Sequence, residues 1–399
     1  MKRLILVLFI SFLNAEIKIE KVLETESISE YNKWVKKNKE RYPGLMPMYE
    51  IKWIKRGEEA NPSIAEEREK LMKAEKGMEP VPQNPFVSQI KVSYYDKDGK
   101  FSKEEIYTGY LDVMGWRGAN FSYLIIRKKD HPLLTSEKLI IVKDFTGKTL
   151  FTLPNLPYTI RPISENIFIE RYFQEGDLDQ SEEYMEFRVF NRNGREIGKL
   201  KNIPGAWEGD FLPNHKYFLI YNSYEIIFFS NDLKEIWRKK QMGTRAWCNN
   251  YIAIGYEGKI YLYDLSGELV YRYELIKSFE WPQMVFSEDG KYLFAEVGNY
   301  IFLLDVENRI ELWRKKAFVG THFLRFLGKN KYILCCYISR IDIIDSKSGE
   351  VIYTEKIPIK RKKNGSIIGP IYFEFRGNFL IITQGVPTVK IIVYKIEAL

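Results

Sequence analysis

The stretch MVFSEDGKYLFAEVGNYIFLLDVENRIELWRKK, residues 284–316, decides the fold. It contains four apolar segments: strand a over 281–286, strand b over 291–296, strand c over 300–305 and strand d ending at Trp313. The turn SEDGK follows strand a and the turn DVENR follows strand c. Gly and Asp in such turns tolerate the positive φ angles that tight hairpins require. The stretch therefore predicts a small antiparallel sheet of four strands.

The same frame recurs along the chain, where it fits residues 211–240, 247–275 and 323–357. Seven turn signals between apolar segments recur about every 35 to 48 residues, the spacing of repeated four-stranded units. They are DKDGK (96–100), DFTGK (144–148), NRNGR (191–195), SNDLK (230–234), DLSGE (264–268), DVENR (305–309) and DSKSGE (345–350). We therefore predict an all-β fold, a β-propeller of four-stranded antiparallel blades.

Large rings recur at the end of the outer strand of four repeats. They are Trp237, Tyr271, Trp313 and Tyr353. A ring at this position can cover the seam between neighbouring blades, so we expect a structural role for them. The aromatic content of 15% agrees with a protein built from packed sheets.

The two ends of the chain are expected to complete one blade together. The C-terminal segment supplies three strands, over 371–375, 378–383 and 389–396, and the chain then ends. We expect the first hairpin, 90–96 and 101–108, to supply the fourth strand. Pairing of the chain ends would remove exposed sheet edges. With six complete blades between them, the prediction is seven blades.

The first part of the chain differs in character from the repeats. We predict a helical or irregular extension over 16–86, with helices over 27–39 and 63–76 and a Pro-rich linker at its end, followed by the propeller over 87–399. The first predicted helix places apolar residues at helical spacing behind a Ser that can act as N-cap. The extension is expected to pack on the propeller because its Trp and Tyr side chains are costly to leave in water.

The opening MKRLILVLFISFLNA reads as a secretory signal peptide over residues 1–15. It has Lys2 and Arg3, an apolar run from Leu4 to Leu13 and the small residue Ala15. The alternative is an uncleaved N-terminal anchor. Since no later run of the sequence is long and apolar enough to span a membrane, we expect no transmembrane span in the mature chain. The predicted location is periplasmic, extracellular or associated with the cell envelope.

Composition names no anionic partner by itself. The net charge is +8, and loss of Lys2 and Arg3 with the leader leaves 8 − 2 = +6, a mild surplus over a large surface. No motif for a specific nucleic acid is present, and the oligomeric state is left open.

The repeated segments resemble two known kinds of propeller repeat. FSEDGKYL (286–293) followed by IFLLD (301–305) resembles a WD-repeat. KIYLYDLSGELVYRYE (259–274), with the segments EIWRK and ELWRK, is more similar to the PQQ-like repeats of quinoprotein-type propellers. The resemblance covers four or five repeats and is one of framework. It implies the propeller fold and leaves the active site undefined.

Adjacent cysteines invite one comparison with quinoprotein dehydrogenases, which sometimes carry such a pair beside their cofactor. Cys335 and Cys336 lie inside the continuous apolar run YILCCYIS. Neighbouring strand residues point to opposite faces, so we expect the two thiols to diverge and, with Cys248, to be buried and free. We therefore predict no cofactor.

Metal chemistry has weak support in the sequence. The histidines are His131, His215 and His322, in different repeats and without partners at ligand spacing, so no zinc site is expected. The acidic stretch QEGDLDQSEE is a weak calcium candidate through Asp177, Asp179 and Glu183. The alternative for this stretch is a solvated hairpin tip. Motifs for nucleophilic catalysis or phosphate binding are absent, and we predict no catalytic residues.

Basic clusters end several strands whose connections emerge on one side of a propeller. These b-to-c and d-to-a connections carry Arg127, Lys128, Lys129, Arg238, Lys239, Lys240, Arg314, Lys315, Lys316, Lys360, Arg361, Lys362 and Lys363. We call this set the basic rim. It could attract an acidic protein or an anionic polymer, whereas the alternative is that it only keeps the chain soluble.

Two functions of different classes follow from these features. The first is a non-catalytic, exported propeller that acts as a protein-interaction or ligand-binding scaffold in the cell envelope. The second is an enzyme with a site in the central channel, an oxidoreductase or a carbohydrate-active hydrolase. The innermost strands carry mainly apolar or aromatic residues, and Arg325 and Glu374 stand out as charged. This composition favours binding over catalysis.

Overall fold

A computed structural model describes most of the propeller and part of the extension. The described residues are 17–40, 50–55, 88–96, 100–117, 122–129, 137–144, 146–156, 159–164, 166–171, 184–204, 207–317, 320–361, 367, 371–384 and 390–398. The predicted leader over 1–15, the predicted helix over 63–76 and the Pro-rich linker lie outside them.

The described chain begins with elements that belong to three different parts of the molecule. They are β1 (Ile17–Thr25), α1 (Ile28–Asn38), β2 (Glu50–Lys55), β3 (Ser88–Tyr95) and β4 (Phe101–Arg117). Helix α1 confirms the first predicted helix, and Ser27 caps it because its Oγ accepts the N–H of Glu30 at 3.2 Å.

Six blades follow along the chain, each a four-stranded antiparallel sheet in the order a, b, c, d. Blade 1 contains the second half of β4 with β5 (Ser122–Lys129), β6 (Glu137–Asp144) and β7 (Thr149–Leu156). Blade 2 contains β8 (Thr159–Pro162), β9 (Ile167–Arg171), β10 (Tyr184–Asn191) and β11 (Glu196–Pro204). Blade 3 contains β12 (Glu208–Phe211), β13 (Tyr217–Tyr221), β14 (Glu225–Ser230) and β15 (Glu235–Lys240).

The next three blades repeat the same order of strands. Blade 4 contains β16 (Thr244–Trp247), β17 (Tyr251–Tyr256), β18 (Lys259–Asp264) and β19 (Leu269–Glu274). Blade 5 contains β20 (Gln283–Phe286), β21 (Tyr292–Val297), β22 (Tyr300–Asp305) and β23 (Ile310–Lys316). Blade 6 contains β24 (Phe323–Leu327), β25 (Tyr332–Tyr337), β26 (Arg340–Asp345) and β27 (Val351–Lys356).

Blade 7 joins the two ends of the chain, but not through the hairpin that the sequence indicated. Its strands are β28 (Ile371–Arg376), β29 (Phe379–Gln384), β30 (Lys390–Ala398) and, as strand d, β1. The register runs antiparallel from Ile17 opposite Ala398 to Thr25 opposite Ile391. The prediction of seven four-stranded blades is confirmed within the described residues, whereas the predicted source of the closing strand is wrong.

The first hairpin is held elsewhere by its own continuity with blade 1. Strand β4 runs for 17 residues, and its first half pairs with β3 while its second half is strand a of blade 1. Since no turn separates the two halves, the hairpin cannot leave blade 1 to reach β30. Instead β2, β3 and the first half of β4 form an additional three-stranded sheet, which we call the N-terminal sheet.

The N-terminal sheet carries the same c-to-d turn as the blades. In the blade 4 turn, the N–H of Asp264 donates to the carbonyl of Glu268 at 3.1 Å, and the N–H of Glu268 donates to the Asp264 carboxylate at 3.0 Å. Asp96 and Lys100 make the same two hydrogen bonds, each at 2.9 Å. The first of the seven turn signals thus belongs to this sheet, and blade 7 has chain ends where the others have a c-to-d turn.

Hydrophobic clusters fill the seams between consecutive blades from blade 1 to blade 7, so both faces of the central strands b and c are buried, as in β25 and β26. In blade 6, Cys335 packs in the seam with blade 5 and Cys336 in the seam with blade 7. The two thiols therefore diverge as predicted, and both are buried and unbonded to each other, as is Cys248.

The N-terminal elements cover the face of blade 7 that points away from blade 6 and the face of blade 1 that points away from blade 2. Tyr31 and Val35 of α1 pack against Ile381 of blade 7. Val92 of the N-terminal sheet packs against Leu124 of blade 1. The extension therefore packs on the propeller through these elements and completes its core.

A tryptophan of strand d docks on the c-to-d turn of the next blade. The Trp237 indole N–H donates to the Leu265 carbonyl at 3.0 Å, and a Cβ added at Gly267 would lie 2.8 Å from the Trp237 ring. Trp313 makes the equivalent contact with blade 6, where its N–H donates to the Ser346 carbonyl at 2.7 Å. The predicted seam-covering role of these two rings is confirmed.

The other two predicted rings differ from each other. Tyr353 is partly buried in the seam between blades 6 and 7, as expected. Tyr271 is 37% exposed, and the seam hydrogen bond comes instead from Tyr273, whose hydroxyl donates to the Asp305 carbonyl at 3.0 Å. The prediction for Tyr271 is therefore wrong by two residues along the strand.

At the seam between blades 2 and 3, the small residue is on strand d and the large one is in the facing turn. Gly198 occupies the strand d position that Trp237 holds in the next blade, opposite strand c just before a bulge. Leu233 stands in the facing turn with a φ of 69°, and a Cβ at Gly198 would lie 2.5 Å from Leu233 Cδ1. The large side chain therefore moves to the turn when the strand carries glycine.

We predict that the Trp313 contact is a major source of stability. Trp313→Ala should lower the free energy of unfolding by about 3 kcal/mol, near the low end for large-to-small substitutions because the ring is only partly buried. Trp313→Phe keeps most of the packing and loses the hydrogen bond to Ser346, so about 1 kcal/mol is expected. Chemical denaturation monitored by circular dichroism measures both.

Tyr271→Phe, on an exposed ring, is the control and should change stability by less than about 0.5 kcal/mol. Equal effects for the Trp313 and Tyr271 variants would contradict the role assigned to Trp313.

Candidate functional site

The strand order gives the propeller two different sides. The b-to-c and d-to-a connections lie on one side, which we call the loop side, and the a-to-b and c-to-d turns lie on the other, which we call the turn side. The basic rim belongs to the loop side by its place in the sequence.

Two arginines of the basic rim are engaged by carboxylates of their own blades. Arg238 lies 3.4 Å from Glu225 and 2.8 Å from Glu235. Arg314 lies 2.8 Å from Glu311, and its guanidinium stacks on the Phe302 ring of the same blade. Much of the positive charge expected at these positions is therefore neutralised within the molecule.

Two lysines of the rim also form ion pairs that reach other elements. Lys315 lies 2.6 Å from Glu350 in the c-to-d turn of blade 6, and Lys360 lies 2.7 Å from Glu26 beside α1. Arg127 is buried. The side chains of Lys129, Lys362 and Lys363 lie outside the described residues. Four of the remaining rim residues lie at the ends of their strands, and one lies in the connection between blades 6 and 7. They are Lys128, Lys239, Lys240 and Lys316, and Arg361.

A group of charged side chains on the inner strands of blades 2, 3 and 4 was missed by sequence reasoning. It contains Arg161, Glu208, Asp210, Tyr221 and Arg245, and we call it the inner cluster. Glu208 and Asp210 alternate along β12 and so share one face of that strand. The only local signal is this alternation within a strand of four residues, because Tyr221 comes from the neighbouring strand and the two arginines come from blades 2 and 4.

Hydrogen bonds and ion pairs connect the inner cluster. The Tyr221 hydroxyl donates to the Asp210 carboxylate at 2.9 Å, and buried Arg161 lies 3.4 Å from Glu208. The Arg245 guanidinium stacks over the Tyr221 ring with 5.3 Å to its centroid. The cluster thus combines two cations, two carboxylates and a phenol where strands of three blades meet.

Burial changes the ionisation of three members of the cluster. It raises the pKa of Asp210 to about 6 against the opposing effect of the Tyr221 hydrogen bond. Burial also lowers the pKa of Arg245 to about 10 and raises the pKa of Tyr221. Asp210 can therefore change its protonation state near neutral pH, which a polar ligand or a reacting group could exploit.

An exposed aromatic surface lies on the loop side at blades 4 and 5. We call it the aromatic patch, and its residues are Tyr256, Phe279, Trp281 and Tyr300. Phe279 is 88% exposed and Trp281 37% exposed, on the connection from blade 4 to blade 5. The Tyr256 and Trp281 ring centroids lie 6.2 Å apart.

The connection that carries Phe279 is anchored directly after that residue. The Gly258 N–H donates to the Glu280 carbonyl at 2.9 Å, and the Gly298 N–H donates to the Glu280 carboxylate at 2.7 Å. The Thr244 hydroxyl donates to the Pro282 carbonyl. The backbone is thus fixed by three neighbouring turns and strands while the Phe279 ring projects into solvent.

Gly258 permits this close approach of backbones. Its φ is 69°, and a Cβ there would lie 2.2 Å from the Ile276 carbonyl oxygen. A side chain at this position would displace the connection, so the glycine fixes where Phe279 and Trp281 are presented.

The remaining candidates from the sequence are metal ligands and thiols. Among the described residues, no group of three or more His, Cys, Asp or Glu side chains could hold a metal ion. Asp177, Asp179 and Glu183 lie outside the described residues. Burial raises the pKa values of the Cys335 and Cys336 thiols, so neither is an activated nucleophile.

Comparisons with known proteins were made by sequence and by structure. No family model matches the chain, and no curated protein matches its sequence. The fold search found the crystal structure of BamB from Moraxella catarrhalis at a TM-score of 0.49 and 12% identity, covering 76% of this chain and 91% of that chain. It also found KlHsv2 with loop 6CD replaced by a Gly-Ser linker, at a TM-score of 0.49 and 12% identity, covering 69% of this chain and 89% of that chain.

The length of the helices bears on membrane topology. Helix α1 spans 11 residues, and within the described ranges no helix has the length and apolar character needed to cross a bilayer.

We predict a pH-dependent contribution of Asp210 to stability. Its pKa is raised on folding from about 3.9 in an unfolded chain, so folding favours the neutral carboxyl and stability falls as pH rises from about 4 through 6. Asp210→Asn removes this loss. The stability of the variant relative to the wild type should therefore rise by about 1 to 3 kcal/mol between pH 4 and pH 7.5, a range that allows for solvent screening of the partly exposed carboxylate. Denaturant unfolding at a series of pH values measures the difference.

Asp232→Asn is the matched control, since exposed Asp232 has a lowered pKa through the Ser230 hydroxyl. Its effect should have the opposite sign, because Asp232 contributes stability at high pH that is lost as pH falls through its folded pKa. A stability difference for Asp210→Asn that stays constant with pH would show that folding does not raise the pKa of Asp210.

Proposed function

We propose that this protein is a non-catalytic, exported β-propeller of the cell envelope that binds a protein partner through the aromatic patch on its loop side. The repeats form the rigid frame, and the connection between blades 4 and 5 presents the binding residues. The predicted leader over residues 1–15 supports the export part of the proposal.

The exposed Phe279 on an anchored backbone carries the proposal. Aromatic side chains dominate the energetics of protein interfaces because each buries a large area with few rotatable bonds. A backbone that is already ordered loses little entropy when a partner binds. Phe279 and Trp281 meet both conditions, since the Glu280 between them is tied to Gly258 and Gly298.

Charge is expected to assist this interaction at the edge of the patch. Lys316 is exposed at the end of strand d in blade 5, where the Ala317 N–H donates to the Asn299 carbonyl beside Tyr300. Because Arg314 and Lys315 are already paired with Glu311 and Glu350, the basic rim would tune encounter rates rather than supply most of the affinity. A partner with an apolar centre and acidic margins fits this surface.

Site-specific photocrosslinking in the native cells tests the proposal. A photoreactive phenylalanine analogue at position 279 should give a discrete adduct with one partner, whereas the same analogue at Ile352, 45% exposed on strand d of blade 6, should not. Adding the Trp281→Ser substitution to the position 279 probe should reduce the adduct at least fivefold. Equal adducts from positions 279 and 352, or an adduct insensitive to Trp281→Ser, would contradict a role for the patch.

A second candidate function is favoured by the inner cluster. Asp210 has a raised pKa, and Glu208 shares its face of β12, an arrangement compatible with the carboxylate pair of a carbohydrate-active hydrolase. Hydrolysis of a panel of nitrophenyl glycosides by the wild-type protein and its loss in Asp210→Asn would establish this function in place of the first. The oxidoreductase alternative is tested by an absorbance scan for a bound redox cofactor.

A further inference from the structure

A cavity on the turn side lies away from the aromatic patch and the inner cluster. Its volume is about 210 Å³, it is open to solvent on one side, and it is lined mainly by the a-to-b turns of blades 5, 6 and 7. The residues that matter for its chemistry are Glu288, Arg325, Lys329, Phe375 and Asn378. Two cations therefore face one carboxylate around a space that can hold a small molecule.

Arg325 is the centre of the cavity's chemistry. It lies on β24, the innermost strand of blade 6, and its guanidinium stacks on the Phe375 ring of blade 7 with 4.7 Å to the centroid. Stacking fixes the plane of the guanidinium and leaves its N–H edge available for planar, bidentate recognition of a carboxylate.

The ion pair that Arg325 makes within the protein is weak. Arg325 Nη2 lies 3.5 Å from Glu288 Oε1, and the Glu288 side chain is 82% exposed. An exposed pair at this distance contributes little to stability, because solvent screens both charges. An incoming anion can therefore displace Glu288 from Arg325 at little cost.

The wall of the cavity is held in place before any ligand arrives. Gly328, Lys329 and Asn330 have φ values of 57°, 51° and 72°, two of them unusual for residues with side chains. The Asn330 carbonyl accepts the Ser346 hydroxyl at 2.5 Å, and its side chain hydrogen-bonds to Asp289 of blade 5. These contacts pin the turn, so little ordering cost remains for binding.

We propose that this cavity binds a small hydroxylated carboxylic acid of monosaccharide size, such as a uronic acid. Arg325 takes the carboxylate, and Lys329 adds positive charge. The Asn378 amide and the displaced Glu288 carboxylate can hydrogen-bond hydroxyl groups, while Phe375 bounds the apolar side of the space. The site is independent of the proposed partner binding on the loop side.

Isothermal titration of the purified protein with D-glucuronate tests this proposal, with glucose and inorganic phosphate as comparison ligands. Glucuronate should bind, whereas glucose and phosphate should each bind at least tenfold more weakly. Arg325→Met should weaken glucuronate binding at least tenfold, and Glu288→Gln should strengthen it about threefold because a competing negative charge is removed. Lys315→Met, which removes a cation paired at the blade 5–6 seam, is the matched control and should leave binding unchanged.

Several results would overturn the proposal. They are no glucuronate binding by the wild-type protein, phosphate binding as tight as glucuronate, or an Arg325→Met variant that binds within threefold of the wild type. If Arg325→Met fails to fold, Glu288→Gln carries the test, and unchanged or weaker binding by that variant overturns the assignment.

Discussion

The propeller depends on one repeated contact, in which strand d of a blade delivers a side chain into the c-to-d turn of the next. At two seams the side chain is a tryptophan and the turn supplies a glycine, as with Trp237 on Gly267 and Trp313 on Gly349. At another seam Gly198 faces Leu233, so the bulk has moved to the turn. Close packing explains the exchange, because the seam must be filled whichever element supplies the volume. Once the outer strands are spaced in this way, the inner strands converge and bring residues of three blades into one cluster.

The local part of this architecture could be predicted from the sequence, since turn chemistry depends on a few consecutive residues. The DLSGE turn can be predicted because Asp264 accepts the N–H of Glu268 and Gly267 adopts a positive φ. The closing strand could not be predicted, because its pairing partner is distant in the sequence. Ile17–Thr25 pairs with a segment at the other end of the chain, and nothing in its own residues names that partner. Continuity of β4 across Gly109, by contrast, is a local feature that could have tied the first hairpin to blade 1.

The candidate sites show the same division between local and distant information. Basic residues at strand ends were visible in the sequence, but the ion pairs that neutralise them join separate elements, as Lys315 does with Glu350. Tyr221 and Asp210 lie on adjacent strands, yet their raised pKa values arise from burial by surrounding blades. Sequence patterns therefore supply the chemical groups, whereas packing decides which of them remain available to a ligand.

The loop side owes its shape to the sheets beneath it. The Gln384 side chain, buried at the end of β29, accepts the Lys360 N–H at 2.8 Å and donates to the Lys360 carbonyl at 2.7 Å. Glu296, buried in β21, accepts the N–H groups of Gly320 and Thr321 through its Oε1. A buried polar group of this kind is costly unless it is satisfied, so it holds the connection firmly. The backbones of these two connections are therefore fixed from below, as the connection after Phe279 is fixed by Gly258 and Gly298, and only outward side chains are left free to differ from one connection to the next.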